Sequence, residues 1–163
     1  MSATDDLLTN NEAYADDFDK GGLPGRPAKQ VAVVACMDAR LIPSKLLGLE
    51  EGDAHVIRNA GGVITDDEIR SLAISQNLLG TQEIILIHHT DCGMLTFTDA
   101  EFKDRMEEAT GQRPDWDSEA FGDLEGSVRH SIEKIKGNPF IPNTDSVRGF
   151  VYDVETGKLR EVS

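Results

Sequence analysis

The residues of this chain best suited to chemistry lie in two short segments, 36–40 and 89–93. The first reads Cys-Met-Asp-Ala-Arg and the second reads His-Thr-Asp-Cys-Gly. Together they contain both cysteines of the chain, Cys36 and Cys92, and a histidine, His89. Two thiolates and one imidazole form the ligand set of a catalytic zinc site that keeps one position open. A structural zinc site normally has a fourth Cys or His ligand, and the chain has no third cysteine.

Each segment alone is a weak signal, because a lone buried cysteine usually behaves as a small hydrophobic residue. Their positions strengthen the prediction, since each follows an apolar run, 31–35 or 84–87. Such runs are typical of parallel strands covered on both faces. If these strands are neighbours where the strand order reverses, their carboxyl ends bring the two segments together. His88 adjoins His89, but side chains alternate along a strand, and the spacing to Cys92 favours His89 as the ligand.

Asp38 and Arg40 extend the predicted site beyond the metal ligands. Positions 36, 38 and 40 alternate in an extended chain, so their side chains can point to one side. A guanidinium can hold a carboxylate in an oriented, bidentate pair. Elsewhere in the chain we would interpret this pair as a salt bridge that fixes a loop. Beside an open zinc position, Asp38 can instead accept a hydrogen bond from bound water or bind the metal itself.

The elements that must position these residues alternate between strands and helices. This alternation predicts an α/β fold, a mainly parallel β-sheet flanked by helices, with an N-terminal helical arm and a C-terminal β-hairpin or edge strand. The predicted strands cover 30–36, 54–58, 83–88, 147–154 and 158–162. The predicted helices lie over 43–49, after capping boxes at Thr65 and Thr98, and over 124–135.

Length and composition predict one domain over residues 1–163. A chain of 163 residues with 39% hydrophobic residues is large enough to bury a core. Within it, residues 1–28 are predicted to form an N-terminal arm and linker. Thr4 is a candidate cap for a weakly amphipathic helix, and the Gly- and Pro-rich run 21–27 would break regular structure. Such an arm either packs on a partner subunit or frays, and composition leaves both alternatives open.

The net charge of −14 is concentrated in two stretches, with −5 in residues 1–20 and −7 in residues 99–125. We interpret these acidic stretches as solvated helix faces. The charge disfavours nucleic acid and anionic membranes as partners, because neither gains phosphate neutralisation from this chain. No apolar stretch approaches the roughly 18 residues of a membrane span, and the acidic start lacks the features of a secretory signal. Two cysteines are too few for a disulfide framework, so we predict a cytoplasmic protein.

The two motifs resemble those of the β-class carbonic anhydrases. Cys-x-Asp-x-Arg at 36–40, followed by His-x-x-Cys-Gly at 89–93, is similar to the signature of that family. Between them, the segment Arg-Asn-Ala-Gly at 58–61 also resembles a family motif. The likeness runs from about residue 30 to residue 93 and is weaker in the final strand region. The chain is short for the family, and Gly62 stands where many members carry Asn.

The resemblance implies reversible hydration of carbon dioxide to bicarbonate and a proton by zinc-bound hydroxide. It implies one Zn²⁺ per chain, held by Cys36, His89 and Cys92. Asp38 would accept a hydrogen bond from the hydroxide, and Arg40 would keep Asp38 off the metal. The family also shows a closed state in which the aspartate displaces water as the fourth ligand, so the resemblance makes Asp38 a metal ligand as well as a catalytic residue.

The resemblance also implies a homodimer or higher homo-oligomer with active-site clefts at the subunit interface. Two other functions stay open. One is hydrolysis of carbon disulfide or carbonyl sulfide, since such hydrolases share the metal signature. The other is a non-catalytic zinc-binding or thiol-redox regulator that uses Cys36 and Cys92. Asp38 and Arg40 argue against a regulator, because a zinc store or thiol switch has no need of them.

Overall fold

The computed structural model describes residues 2–163, which contain one five-stranded sheet. The strands in chain order are β1 (Val31–Cys36), β2 (Ala54–Asn59), β3 (Glu83–His89), β4 (Val147–Tyr152) and β5 (Leu159–Val162). In space the order is β2-β1-β3-β4-β5. The first four strands are parallel, and β5 pairs antiparallel with β4 at one edge. The predicted α/β fold, with a mainly parallel sheet and a C-terminal edge strand, is confirmed.

One helix precedes the first strand, and the other four lie in the connections between strands. In chain order the helices are α1 (Ala3–Asp16), α2 (Pro43–Leu47), α3 (Asp66–Asn77), α4 (Asp99–Thr110) and α5 (Leu124–Lys136). Thr65 and Thr98 cap α3 and α4 through capping boxes, as the spacing predicts. The predicted cap of α1 is wrong, because Ser2 rather than Thr4 forms a capping box with Asp5. Among residues 2–163, no helix is both long and apolar enough to cross a membrane.

Several element boundaries differ from the prediction by one or two residues. Strand β4 ends at Tyr152 rather than residue 154, β1 and β5 each begin one residue later than predicted, and α5 ends one residue later. Helix α2 ends at Leu47 rather than residue 49, because Gly48 adopts a left-handed conformation at its carboxyl end. Strand β2 continues one residue further, to Asn59. Strand β3 likewise continues to His89, so this histidine ends the strand instead of lying in the following turn.

Strand β1 lies where the strand order reverses. It pairs with β2 on one side and with β3 on the other, so the connection from β2 to β3 passes across β1. Residues 32–35 are fully buried, as expected for a central parallel strand covered on both faces. The pairing places Ala35 beside Ile87, so the carboxyl ends of β1 and β3 lie side by side. This arrangement confirms that the two strands predicted to deliver the site are neighbours.

A tight turn over Ala60–Gly62 closes the space above these two strands. Gly62 has a φ of +68°, and a Cβ atom there would lie 2.8 Å from the Cys36 nitrogen and 2.9 Å from the Ile87 oxygen. Burial lowers the pKa of His88 to about 4, so its imidazole is neutral, and its Nε2–H donates a 3.0 Å hydrogen bond to the Gly62 oxygen. The turn is therefore fixed against both strands by close backbone contact.

Replacement of Gly62 by alanine should destabilise the protein by more than about 2 kcal/mol, because backbone strain adds to a clash with two main chains. Gly80→Ala is the matched control, since Gly80 has a φ of +79° but no heavy atom within 4 Å of its would-be Cβ. We expect the control to lose only about 1 kcal/mol from backbone strain. Urea unfolding of both variants measures the difference. Equal losses would contradict the proposed contact of Gly62 with both strands.

Candidate functional site

Three side chains converge at the carboxyl ends of β1 and β3. The Sγ atoms of Cys36 and Cys92 and a ring nitrogen of His89 all lie within 4.8 Å of one another. All three residues are buried, with at most 4% of their surface exposed. Tetrahedral zinc with two sulfur ligands and one nitrogen ligand separates these atoms by about 3.5–3.8 Å. The sequence-predicted ligands are thus brought together at nearly the spacing that a zinc ion requires.

The His89 ring is oriented for metal binding. Its Nδ1–H donates a 2.8 Å hydrogen bond to the Thr90 carbonyl oxygen, which leaves Nε2 as the nitrogen with the free lone pair. Nε2 is buried and has no hydrogen-bond partner among the described residues. A backbone carbonyl commonly fixes the tautomer of a metal-binding histidine in this way. A buried, unpaired imidazole nitrogen beside two thiols fits a zinc ion well.

The pKa values of the two cysteines shift in opposite directions because the two thiols lie side by side. The Cys92 thiol donates a hydrogen bond to Cys36, which lowers the pKa of Cys36 to about 4. The same interaction raises the pKa of Cys92 well above its ordinary value, because Cys92 acts as the donor. Both cysteines are free of disulfide bonds. A lowered pKa favours the thiolate form of Cys36, which is the form that binds a cation.

Asp38 and Arg40 form the predicted bidentate pair at the edge of this cluster. Arg40 Nε and Nη2 donate to the two carboxylate oxygens of Asp38, at 3.0 and 2.8 Å. Arg40 holds the pKa of Asp38 well below its usual range, so the carboxylate is ionised at neutral pH. The Asp38 Oδ2 atom also lies 3.7 Å from His89 Nε2. Asp38 is thus bound to Arg40 while standing next to the candidate metal ligands.

The backbone that brings Asp38 and Arg40 together is a turn, so the expectation of an extended chain through residue 40 is wrong. Strand β1 ends at Cys36, and the Leu41 amide donates a 3.0 Å hydrogen bond to the Asp38 carbonyl. The Arg40 amide also donates to the Asp38 carboxylate, at 2.9 Å. An Asp side chain commonly bonds a backbone amide two residues ahead in such a turn.

Two sets of contacts at the site were not predicted from the sequence. Asp91, between two predicted ligands, accepts hydrogen bonds from Arg40 on both its carboxylate and its carbonyl oxygen. Arg58 donates to the carbonyl oxygens of Cys36 and Asp38, at 2.8–3.1 Å, which agrees with a structural role for this residue. The one sequence signal for Asp91 was its position between two predicted metal ligands, His89 and Cys92.

A cavity of about 390 Å³ opens above the cluster. Its lining includes Ala60 and Gly61 of the turn, together with Met37, Met94 and Phe97. The lining is mainly apolar, and its polar residues are the candidate ligands, Asp38 and Thr96. The arrangement suits a small, weakly polar molecule that reacts at a metal ion on the cavity floor.

Comparisons with known proteins agree with this geometry. The family described as carbonic anhydrase matches residues 31–159. β-Carbonic anhydrase 1 of Mycobacterium tuberculosis is 60% identical, over 100% of this chain and 99% of the relative. A carbon disulfide hydrolase of Saccharolobus solfataricus is 36% identical, over 90% of this chain and 84% of the relative. The carbon disulfide hydrolase is thus the more distant of these two relatives.

A solved structure leads to the same family. The crystal structure of carbonic anhydrase from Streptococcus mutans covers 100% of this chain and 99% of its own, with a TM-score of 0.94 and 48% sequence identity. Both the fold and the sequence are thus similar over the full length of the chain. Because the family match also spans the two segments that build the site, the chain belongs to the carbonic anhydrase family, in its β class.

Proposed function

We propose that this chain is a zinc-dependent carbonic anhydrase that catalyses the reversible hydration of carbon dioxide to bicarbonate and a proton. The observation that carries the proposal is the cluster of Cys36, His89 and Cys92, which lines a mainly apolar cavity with an ionised Asp38 beside it. The carbonic anhydrase relatives support the same activity. Stopped-flow measurement of carbon dioxide hydration by the zinc-loaded protein tests it directly.

In this proposal Cys36, His89 and Cys92 hold the zinc ion and leave one position open. When bound, zinc lowers the pKa of a coordinated water enough for attack on carbon dioxide near neutral pH. The Thr90 carbonyl keeps His89 in the tautomer that presents Nε2 to the metal. Arg58 fixes the Cys36 carbonyl and so limits movement of the thiolate.

Asp38 and Arg40 control the reacting water. The ionised Asp38 accepts a hydrogen bond from that water, which directs an oxygen lone pair at the carbon of the substrate. As the new carbon–oxygen bond forms, one electron pair of a C=O bond moves to its oxygen, and the released proton passes to buffer. Arg40 holds Asp38 by two hydrogen bonds and keeps its carboxylate off the metal.

The cavity explains why a small substrate would reach the site. Carbon dioxide is apolar and weakly hydrated, so walls such as Met94 and Phe97 admit it without a desolvation penalty. Bicarbonate is charged and is poorly solvated by the same walls, which favours its release. Carbon disulfide would also fit walls of this kind, so parallel assays with carbon disulfide separate the two substrates. Zinc binding without hydration of carbon dioxide at alkaline pH would contradict the proposal.

The proposal extends to assembly as a homodimer or higher homo-oligomer. Helix α1 buries none of its residues against its own chain, and Leu7, Leu8 and Tyr14 each expose more than half of their surface. Leu78 and Phe140 are also exposed apolar side chains, and both line a groove of about 430 Å³. Helix α1 of a second copy would cover apolar surface that is otherwise left in water.

The predicted domain boundary and location belong to the same proposal. Ala28 and Lys29 donate backbone hydrogen bonds to Gly52 and Asp53, which supports residues 1–28 as an arm that joins the catalytic domain at this point. A cytoplasmic location would keep Cys36 and Cys92 reduced, as zinc binding requires.

Zinc binding should fail when a ligand is removed. We expect His89→Ala and Cys36→Ser to reduce bound zinc from about one ion per chain to a small fraction, because two remaining protein ligands hold zinc weakly. Elemental analysis after dialysis against chelator measures this. His130→Ala is the matched control, since His130 is exposed on α5 and lies outside the cluster. Full zinc content in the His89 variant would contradict the assignment.

Activity should depend on Asp38 and should rise with pH. Because Arg40 lowers the pKa of Asp38, this carboxylate stays ionised at neutral and alkaline pH and loses its charge only in acid. The rise of activity with pH would therefore reflect competition between the Asp38 carboxylate and hydroxide ion for the open position on zinc. We expect Asp38→Ala to lower kcat/KM by about 10²-fold with zinc retained, while Asp145→Ala has no effect. A flat pH profile, or a fully active Asp38 variant, would contradict this role.

Added charge on the apolar face of α1 should weaken the dimer. Leu7→Glu with Leu8→Glu removes exposed apolar contacts and places two carboxylates in the proposed interface. Sedimentation velocity should then show a monomer of 17.8 kDa, where the unmodified chain sediments at twice that mass. Thr9→Glu with Ala13→Glu is the control, because helical spacing places these residues on the opposite face. An equal shift in the control would argue against an interface formed by Leu7 and Leu8.

A further inference from the structure

Arg40 makes two sets of contacts, and only one of them involves Asp38. The Nε and Nη2 groups hold the Asp38 carboxylate. On its other edge, Nη1 donates to Asp91 Oδ2 at 2.8 Å, and Nη2 donates to the Asp91 carbonyl oxygen at 3.0 Å. The guanidinium thereby joins the turn after β1 to the segment that carries His89 and Cys92.

The backbone at Asp91 is adapted to this contact. Its φ is +54°, a left-handed conformation that non-glycine residues rarely adopt and that Asp and Asn tolerate best. In this conformation one residue presents both its side chain and its carbonyl to the same guanidinium. The side chain of Asp91 is 79% exposed, so the protein does not need it to fill space.

We propose that Asp91 is a positioning residue, which anchors the outer edge of Arg40 so that its inner edge retains Asp38. The inference rests on the proposed function, because it concerns how Asp38 is kept from the open position on zinc. When Asp38 leaves Arg40, the guanidinium is still held by Asp91 and stays in place to recapture it. Asp91 thus shifts the balance toward the form in which the open position is free.

The Asp91 carboxylate also attracts the Arg40 guanidinium, and this competition weakens the pairing of Arg40 with Asp38. Competition is weak for two reasons. The Asp91 carboxylate takes an Nη1–H, whereas Asp38 takes hydrogens of Nε and Nη2, so they use different donors. The high exposure of Asp91 also screens its charge. Anchoring therefore dominates over competition.

The test uses Asp91→Gly and Asp91→Asn in the zinc-loaded, full-length protein. Glycine removes the carboxylate and adopts the left-handed backbone without strain, whereas asparagine keeps the conformation and one acceptor oxygen. We expect kcat/KM for carbon dioxide hydration near pH 7 to fall by about two- to fivefold in the glycine variant, the effect of losing one partly exposed ion pair. The asparagine variant should recover most of this loss.

Two controls separate positioning from general damage. Asp67→Asn removes an exposed ion pair with Arg70 on α3 and should leave kcat/KM unchanged. In an Arg40→Ala background, Asp91→Gly should cause no further loss, because its effect passes through Arg40. An undiminished loss in that background, normal kcat/KM in the glycine variant, or loss of zinc from it would each overturn the inference.

Hydrogen exchange of the Arg40 Nε–H, followed by NMR, tests the inference without reference to catalysis. This hydrogen is donated to Asp38, so its exchange reports how firmly Arg40 holds that carboxylate. We expect exchange about two- to fivefold faster in Asp91→Gly and unchanged in Asp67→Asn. Faster exchange in a protein that does not hydrate carbon dioxide would overturn the proposed function and leave the anchoring intact. Unchanged exchange would overturn the anchoring alone.

Discussion

The parallel pairing of β1 with β3 is the interaction on which the site depends. The two strands are distant in sequence, and β1 pairs with β3 on one side and with β2 on the other. One thiolate comes from the end of β1, and the imidazole and second thiolate come from the end of β3 and the turn after it. The buried core of both strands therefore sets the spacing of the candidate ligands.

Beyond the strand ends, arginines connect segments that the sheet does not join. Arg40 bonds to the turn after β1 and to the segment after β3, whereas Arg58 reaches from β2 to the carbonyls of Cys36 and Asp38. Both use the planar fork of the guanidinium, which a lysine could not reproduce. Asp38 is consequently held through its side chain and its backbone at the same time. These contacts restrict the Asp38 carboxylate to a small set of positions.

Much of this arrangement could be predicted from sequence, because the signals were local. Continuous apolar runs marked β1 and β3, and capping-box spacing marked α3. Residue type, position after an apolar run and spacing together singled out Cys36, His89 and Cys92 as candidate ligands, and their roles stay predictions even though their atoms converge. The cap of α1 was missed because Ser2 and Thr4 are both good caps, and Asp5 decides between them.

The contacts of Arg40 were harder to predict, because they depend on backbone conformation rather than on residue pattern. An extended chain and a turn both bring Asp38 and Arg40 near each other, and only the structure distinguishes them. The contact with Asp91 depends on a left-handed backbone at a residue other than glycine. No periodicity in the sequence encodes that conformation, since it follows from how the chain turns between two ligands.

The two sides of the cavity differ in how freely evolution can change them. A Cβ atom on Gly62 would lie within 3 Å of the main chains of Cys36 and Ile87, so a larger residue there requires the turn to shift away from both strands. Such a shift would act on the strands that space the candidate ligands. Elsewhere the cavity is lined by Met37 and Phe97, which lie outside the strands, so their side chains can be exchanged without moving a strand. A descendant of this protein that adopts a bulkier substrate would gain room on that side, while its metal ligands keep their places.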